Sequence, residues 1–268
     1  MTFGEELKNE FDYLCKSLTG NVREETLFNQ LVKAFENLGG NYKIKIIHGS
    51  RWCVDFEMLN SAGFFCGKSG FTRCELGDLL FVVVKGGQAR LSIMQNKFDK
   101  KMKAYNDTFK AQMNQLYLLK MRPEFIYRSS KYEILRKANL PSIGNFGTFR
   151  KDGQLYDMGY YSSDCLKSRT EFKKARSQRK ICLDDSSSKY TCVNKYIQTN
   201  FCENLVEFGN QLMDMKIGEP YYIKEAVKVL NNSDIFEILQ RWDLPIECSI
   251  DKQKMSVTTR KIIVLNAN

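Results

Sequence analysis

Two apolar, β-branched segments, Glu75–Val84 and Ala89–Lys97, are separated only by Lys85, Gly86, Gly87 and Gln88. A spacer this short, with two glycines in it, leaves one simple arrangement: an antiparallel hairpin with the glycines in the turn. In such a hairpin the start of the first strand lies beside the end of the second, so Asp78 falls next to Gln95 and Lys97. Alternation along a strand then puts Gln95 and Lys97 on one face with Leu91 and Ile93. An acid, a second oxygen donor and a lysine at one spot are the parts needed to hold a divalent cation and activate a water.

The rest of the N-terminal half predicts elements that flank this hairpin. Apolar residues at 3, 7, 11, 14 and 18 predict a helix over 3–18. Leu27, Phe28, Leu31, Val32, Phe35 and Leu38 predict a second over 22–38. Asn21 followed by Glu24 reads as an N-cap with a capping-box acid, and Gly39 and Gly40 stop the helix. Strands are expected over 42–48 and 52–58, with a loop or short hairpin over 63–72. A lysine-rich helix over 98–121 follows the hairpin and ends before Pro123, then a short strand covers 124–128. Helices over 201–216, 223–231 and 234–241 make the C-terminal part mainly helical before a closing strand over 256–265. This order predicts an α/β (or α+β) fold, a mixed sheet with helices on its faces. A core domain over 1–128 is expected, with a C-terminal region over 129–268 that could form a subdomain of the same domain.

Composition removes several function classes. With 43% hydrophobic and 27% charged residues the chain can build a packed core. No apolar run reaches membrane-spanning length and the N-terminus lacks a signal-peptide pattern, so a cytoplasmic protein without membrane association is expected. The nine cysteines are scattered with no Cys-x-x-Cys pair, and His48 is the single histidine. Reduced, mostly buried thiols are expected, although Cys182, Cys192 and Cys202 could meet. There is no P-loop, Rossmann glycine motif or nucleophile elbow, which argues against an ATPase, a dehydrogenase or a serine hydrolase. A net charge of +10, from 41 basic and 31 acidic residues, favours a polyanionic partner.

Asp78, the hairpin and the triplet Gln95, Asn96 and Lys97, with a helix on either side, resemble the PD-(D/E)xK nuclease superfamily. More narrowly, they are similar to the Gln-x-Lys variant of Mrr-type restriction endonucleases. The resemblance spans residues 20–128 and implies a restriction-endonuclease-like α-β-β-β-α-β core. Three departures stand out: Gly77 precedes the acid where proline is usual, Gln95 replaces a carboxylate, and the acid of the core helix is not uniquely identified. The first is a common variation; the second removes one negative charge from the metal site. The implied activity is Mg²⁺- or Mn²⁺-dependent hydrolysis of phosphodiesters in DNA, in restriction or anti-phage defence. The chemistry follows from the residues too: Asp78 as main metal ligand, Gln95 as a second oxygen ligand, and Lys97 to orient or deprotonate the water.

Further candidates surround this centre. Glu24 is the leading accessory metal ligand, since it falls on the apolar stripe of its helix, but its capping-box role explains it nearly as well. Glu25, Glu57 and Glu75 are lesser acids. Lys100 and Lys101, with Lys103, continue from the motif, and Arg51 with Ser50 follows a strand end; all are candidates for phosphate contact. His48 reads as structural, and Gln112, Gln115 and Tyr117 have no assigned role. The strongest basic cluster, Lys167–Lys180, includes Lys173, Lys174 and Arg176. Tyr156, Tyr160 and Tyr161 just before it suit base stacking. DNA is the expected partner, with RNA an alternative of the same chemistry; a homodimer would suit a two-strand cut, and a defence-system partner protein would suit activation. The competing expectation is an inert nucleic-acid- or partner-binding module that retains the nuclease fold.

Overall fold

The computed structural model describes residues 1–59, 65, 70–168, 177–193, 196–244, 246, 248–251 and 255–268. Helices α1 (Phe3–Cys15) and α2 (Glu24–Leu38) lead into strands β1 (Lys43–His48), β2 (Cys53–Glu57) and β3 (Phe71–Glu75). The hairpin β4 (Leu79–Lys85) and β5 (Gln88–Phe98) comes next. A loop then leads to β6 (Phe109–Gln112), α3 (Met113–Met121), β7 (Phe125–Tyr127) and β8 (Ser130–Tyr132). Strands β9 (Gly144–Asp152), β10 (Leu155–Ser162), β11 (Leu166–Ser168), β12 (Gln178–Leu183), β13 (Tyr190–Val193), β14 (Tyr196–Thr199) and β15 (Phe201–Cys202) follow. The chain closes with α4 (Leu205–Met213), β16 (Glu219–Tyr222), α5 (Ile223–Leu230), α6 (Ser233–Arg241) and β17 (Lys261–Asn266).

The protein is a mixed α/β fold built on one large sheet of order β1-β17-β4-β5-β9-β10-β15, with β16 also pairing β5. β17 runs parallel to β4 and β9 parallel to β5; the other pairings are antiparallel. The hairpin forms as the sequence predicts, with Leu79 opposite Met94 and Lys85 opposite Gln88. Gly86 and Gly87 take φ of 52° and 82°, the pair of positive values that a two-residue turn of this kind demands.

Alternate residues of the central strands feed two cores, as a pleated sheet with both faces covered requires. Leu79, Phe81, Val83, Met94, Ile263 and Leu265 pack with α1, α2 and α4. Leu80, Val82, Val84, Leu91, Ile93, Ile262 and Val264 face α3, α5, α6 and a second sheet of order β3-β2-β7-β8. Truncating one of these fully buried phenylalanines, such as Phe81, costs about 3–5 kcal/mol.

Several expectations need correction. The helix predicted over 98–121 forms only from Met113; β5 continues to Phe98 and a loop follows. Asp99 and Asp107 explain this: their carboxylates accept backbone N–H groups from Lys101, Lys103 and Ala104, competing with helical hydrogen bonds. The C-terminal half is rich in strands rather than mainly helical. Five of its strands, β9, β10, β15, β16 and β17, join the same sheet as the hairpin. The strand predicted over 124–128 forms as β7, but in the smaller sheet; the place beside β5 belongs to β9. Among the described residues no helix is long and apolar enough to cross a membrane.

Candidate functional site

The edge of the central sheet where β17 and β4 begin and β1 and β5 end collects the polar side chains. Register fixes this: His48 opposes Lys261, Lys261 lies beside Leu79, and Leu79 opposes Met94. Asp78 precedes β4, and its own N–H donates to the Met94 carbonyl at 2.9 Å, extending the ladder by one residue. Gly77 is required there by proximity, because a Cβ at that position would lie 2.7 Å from Ile93 Cγ2. The glycine found in place of a proline thus lets the two strands close on each other just where the acid enters.

Asp78, Gln95 and Lys97 come together as the hairpin predicts, and Asp78 and Gln95 are buried. Asp78 Oδ2 accepts from the Asn96 backbone N–H at 2.8 Å and from the Gln95 side-chain amide. Gln95 Oε1 in turn accepts from Gln115 Nε2 at 3.2 Å, so α3 supports the pair from behind. Burial pushes the Asp78 carboxyl above its ordinary pKa. The Asn96 N–H and the charges of Lys97 and Arg260 pull the other way.

Glu24 joins this site and does not cap its own helix. The N-cap of α2 is Arg23, with no side-chain cap bond, and Asn21 instead accepts from Lys100. Glu24 Oε2 accepts from the Phe98 backbone N–H at 3.1 Å, and Oε1 lies 3.8 Å from Lys97 Nζ. Burial raises its pKa, Lys97 opposes that shift, and the neighbouring Asp78 charge adds to it. Two carboxylates on separate elements, both disfavoured as anions and sensing each other, form a place where added positive charge lowers the energy.

Arg260 was not foreseen as a site residue, and it supplies some of that charge. Its Nε lies 3.4 Å from Asp78 Oδ1, and its Nη2 is 3.2 and 3.3 Å from the two oxygens of Glu75. Arg51, a predicted phosphate contact, reaches Glu75 at 3.3 Å from the solvent side. The signal for Arg260 was its place within the strand predicted over 256–265, which matters only once that strand is known to begin at Lys261 and run parallel beside β4. Gln115 was noted on its helix without a role.

Other predicted residues fall elsewhere. Lys100 and Lys101 are exposed, on the loop after β5 and not on a helix. Glu57 is at the far end of β2, opposite Phe71, in a groove of about 440 Å³ that includes Arg122, Lys131 and Arg136. Glu25 and Ser50 are exposed, and His48 contacts Lys261 through Nδ1. Lys173, Lys174 and Arg176 lie outside the described residues. Tyr156, Tyr160 and Tyr161 are buried, at 8%, 0% and 1% exposure, which removes them as stacking platforms for bases. Of the eight described cysteines five, Cys15, Cys74, Cys165, Cys182 and Cys202, are buried.

Among the described residues no three His, Cys, Asp or Glu side chains converge as a metal cage. The oxygen donors at the Asp78 site are the carboxylates of Asp78 and Glu24, while Gln95 turns its amide nitrogen to Asp78 and its oxygen to Gln115. Carboxylate oxygens are the preference of Mg²⁺ or Mn²⁺. Gln115 Oε1 is buried without a partner. Exchanging the two ends of both amides, which moves no heavy atom, would let Gln95 Nε2 donate to that oxygen. Gln95 Oε1 would then face Asp78 Oδ2 and join the two carboxylates as a third oxygen donor. With the amides so placed, the donor set would be one that a hard divalent cation accepts. No family model, curated protein or solved structure matches this chain.

Proposed function

We propose that the Asp78 site hydrolyses phosphodiester bonds in DNA with the help of a divalent cation, in the manner of the PD-(D/E)xK nucleases that the hairpin resembles. The observation that carries this reading is the convergence of Asp78, just before β4, with Gln95 and Lys97 of β5 and Glu24 of α2. The bland explanation for Glu24, capping its own helix, is gone. A role in restriction or anti-phage defence follows from family analogy alone.

Asp78, Gln95 and Glu24 would hold Mg²⁺ or Mn²⁺, which when bound neutralises phosphate charge and acidifies a water. Asp78 is fixed by the Asn96 N–H, so its carboxylate is aimed before any ligand arrives. Gln115 orients the Gln95 amide. Lys97, drawn toward Glu24, is placed to hold a water or a phosphate oxygen beside Asp78. Arg51 and Arg260, grouped on Glu75, extend positive charge from the site towards solvent.

Plasmid DNA incubated with Mg²⁺ or Mn²⁺ tests the reading. Wild type is expected to nick or cut, with Asp78→Ala and Lys97→Ala slower by about 10²–10³-fold. Asp78→Ala should also lose cation binding while Lys97→Ala keeps it. Cleavage that persists in both variants would remove this site. Labelled single-stranded RNA in parallel decides between DNA and RNA as the substrate.

A second reading has its own observation. Arg260 is ion-paired with both Asp78 and Glu75, which suits an inert nucleic-acid-binding or partner-binding module whose metal has been replaced by a guanidinium. DNA binding without cleavage under either metal would favour it.

A further inference from the structure

The antiparallel pair β6–β12 places Lys110 directly opposite Lys180, and both side chains are exposed. Like charges in that position repel, and a folded sheet ordinarily avoids them. The next pair on the same face is Gln112 opposite Gln178, also without an acid. The other face buries Phe109, Ala111 and Ile181, with Arg179 half-buried opposite Ala111. Neither lysine side chain has an ion-pair or hydrogen-bond partner among the described residues. The carboxylates at the far end of this small sheet, Asp184 and Asp185, are held by Lys167 at 3.3 and 3.2 Å.

The ladder is also joined to the Asp78 site. β6 runs straight into α3, whose Gln115 touches Gln95, and the Met113 N–H donates to the Ser177 carbonyl just before β12. Lys110 is two residues from Gln112, or about 7 Å along the strand. From Lys97 the loop to β6 carries Lys100, Lys101 and Lys103, all exposed. Cations thus continue from the site to the ladder, and the sheet tolerates a repulsive pair that a line of phosphates would relieve.

We propose that the solvent face of β6–β12, with the lysine loop leading to it, is a track for the sugar–phosphate backbone of DNA as it leaves the Asp78 site. The assignment rests on the reading of that site as one that acts on nucleic acid. Recognition is of phosphate charge, so the track adds affinity without sequence preference.

The test is fluorescence anisotropy of a labelled DNA duplex in EDTA, where no cleavage occurs, over a range of KCl concentrations. The Lys110→Ser/Lys180→Ser variant is compared with wild type and with Lys224→Ser/Lys228→Ser, which removes two exposed lysines from α5. Loss of two phosphate contacts should make the log–log salt slope shallower by about 1.8, while the α5 variant keeps the wild-type slope. The ladder variant should be at least as stable in urea, since it removes a repulsion. An unchanged slope overturns the track, as does wild-type binding that does not depend on salt. Cleavage in Mg²⁺, scored separately, tells the two proposals apart. Cleavage with an unchanged slope sinks the track and spares the site, whereas a shallower slope without cleavage under either metal does the reverse.

Discussion

At Asp78 a buried carboxylate is held above its ordinary pKa mainly by loss of water, and this has a sign that can be measured. A folded-state pKa above the unfolded value means that folding is favoured most when the group is protonated. That contribution is complete below the unfolded pKa, about 3.9, and is lost as pH rises through the higher folded value. At neutral pH wild type therefore carries the cost of a buried anion that Asp78→Asn does not. The variant should melt about 2 °C or more above wild type at pH 7, and the gain should vanish below about pH 3.9. Equal melting temperatures at pH 7 would mean that Arg260 already offsets the buried charge. Arg260 makes a separate prediction. Replacing it with Ala removes the resident positive charge between Asp78 and Glu75, so Mn²⁺ should bind about tenfold more tightly by calorimetry, the effect of ~1.4 kcal/mol. Unchanged or weaker binding would show that the guanidinium does not compete for the cation position. Asp78, Gln95 and Lys97 were legible in the sequence because a short hairpin makes distant-looking residues local. Glu24 was ambiguous, since a cap and a ligand use the same residue type. Arg260 was hidden because the partner of a parallel strand is not written in its own residues.

Among the elements, the hairpin depends on glycine at both ends for different reasons. Gly86 and Gly87 supply backbone angles, whereas Gly77 supplies space against Ile93. Gly77→Ala should cost about 1–3 kcal/mol by overpacking. In urea titrations the penalty should shrink in an Ile93→Ala background, because the atom the new methyl meets is then absent. Additive losses would place the strain in the backbone instead. The elements that misled the sequence reading share a physical cause. The lysine-rich stretch after Lys97 has good helical composition, yet two aspartates tie its backbone into turns. β9 and β10 were missed because buried polar groups break the apolar alternation that marks a strand. Asn145 is buried with bonds to Ser92 and Tyr160, and Arg150 with a bond to Asp157 at 2.7 Å. Such pairs satisfy each other only across strands, which no local pattern records.

For the whole molecule, the question is whether residues 1–128 could fold alone. Both outer neighbours of the hairpin come from beyond residue 128: β17 lies against β4 and β9 against β5. Without them Leu79, Phe81 and Val83 lose Ile263, Leu265 and Phe149 from their core, and an isolated two-stranded ribbon is marginal in water. Fragment 1–128 should therefore show no cooperative urea transition. The full chain offers a sharper check, because its two tryptophans fall in different halves. Trp52 is buried beneath β7 and β8 residues, and Trp242 packs on the same core from the end of α6. Single-tryptophan variants, Trp242→Phe and Trp52→Phe, report each half by fluorescence. If the shared sheet makes one cooperative unit, each fluorescence transition should coincide with the far-ultraviolet circular dichroism transition of the same variant. Transitions that separate, with one half melting while the other persists, would mean that the sheet joins two independently stable parts. Coincidence would tie the Asp78 site to the far end of the chain. Removing β17 would then abolish the site, because Arg260 and the strand that supports β4 would be lost together.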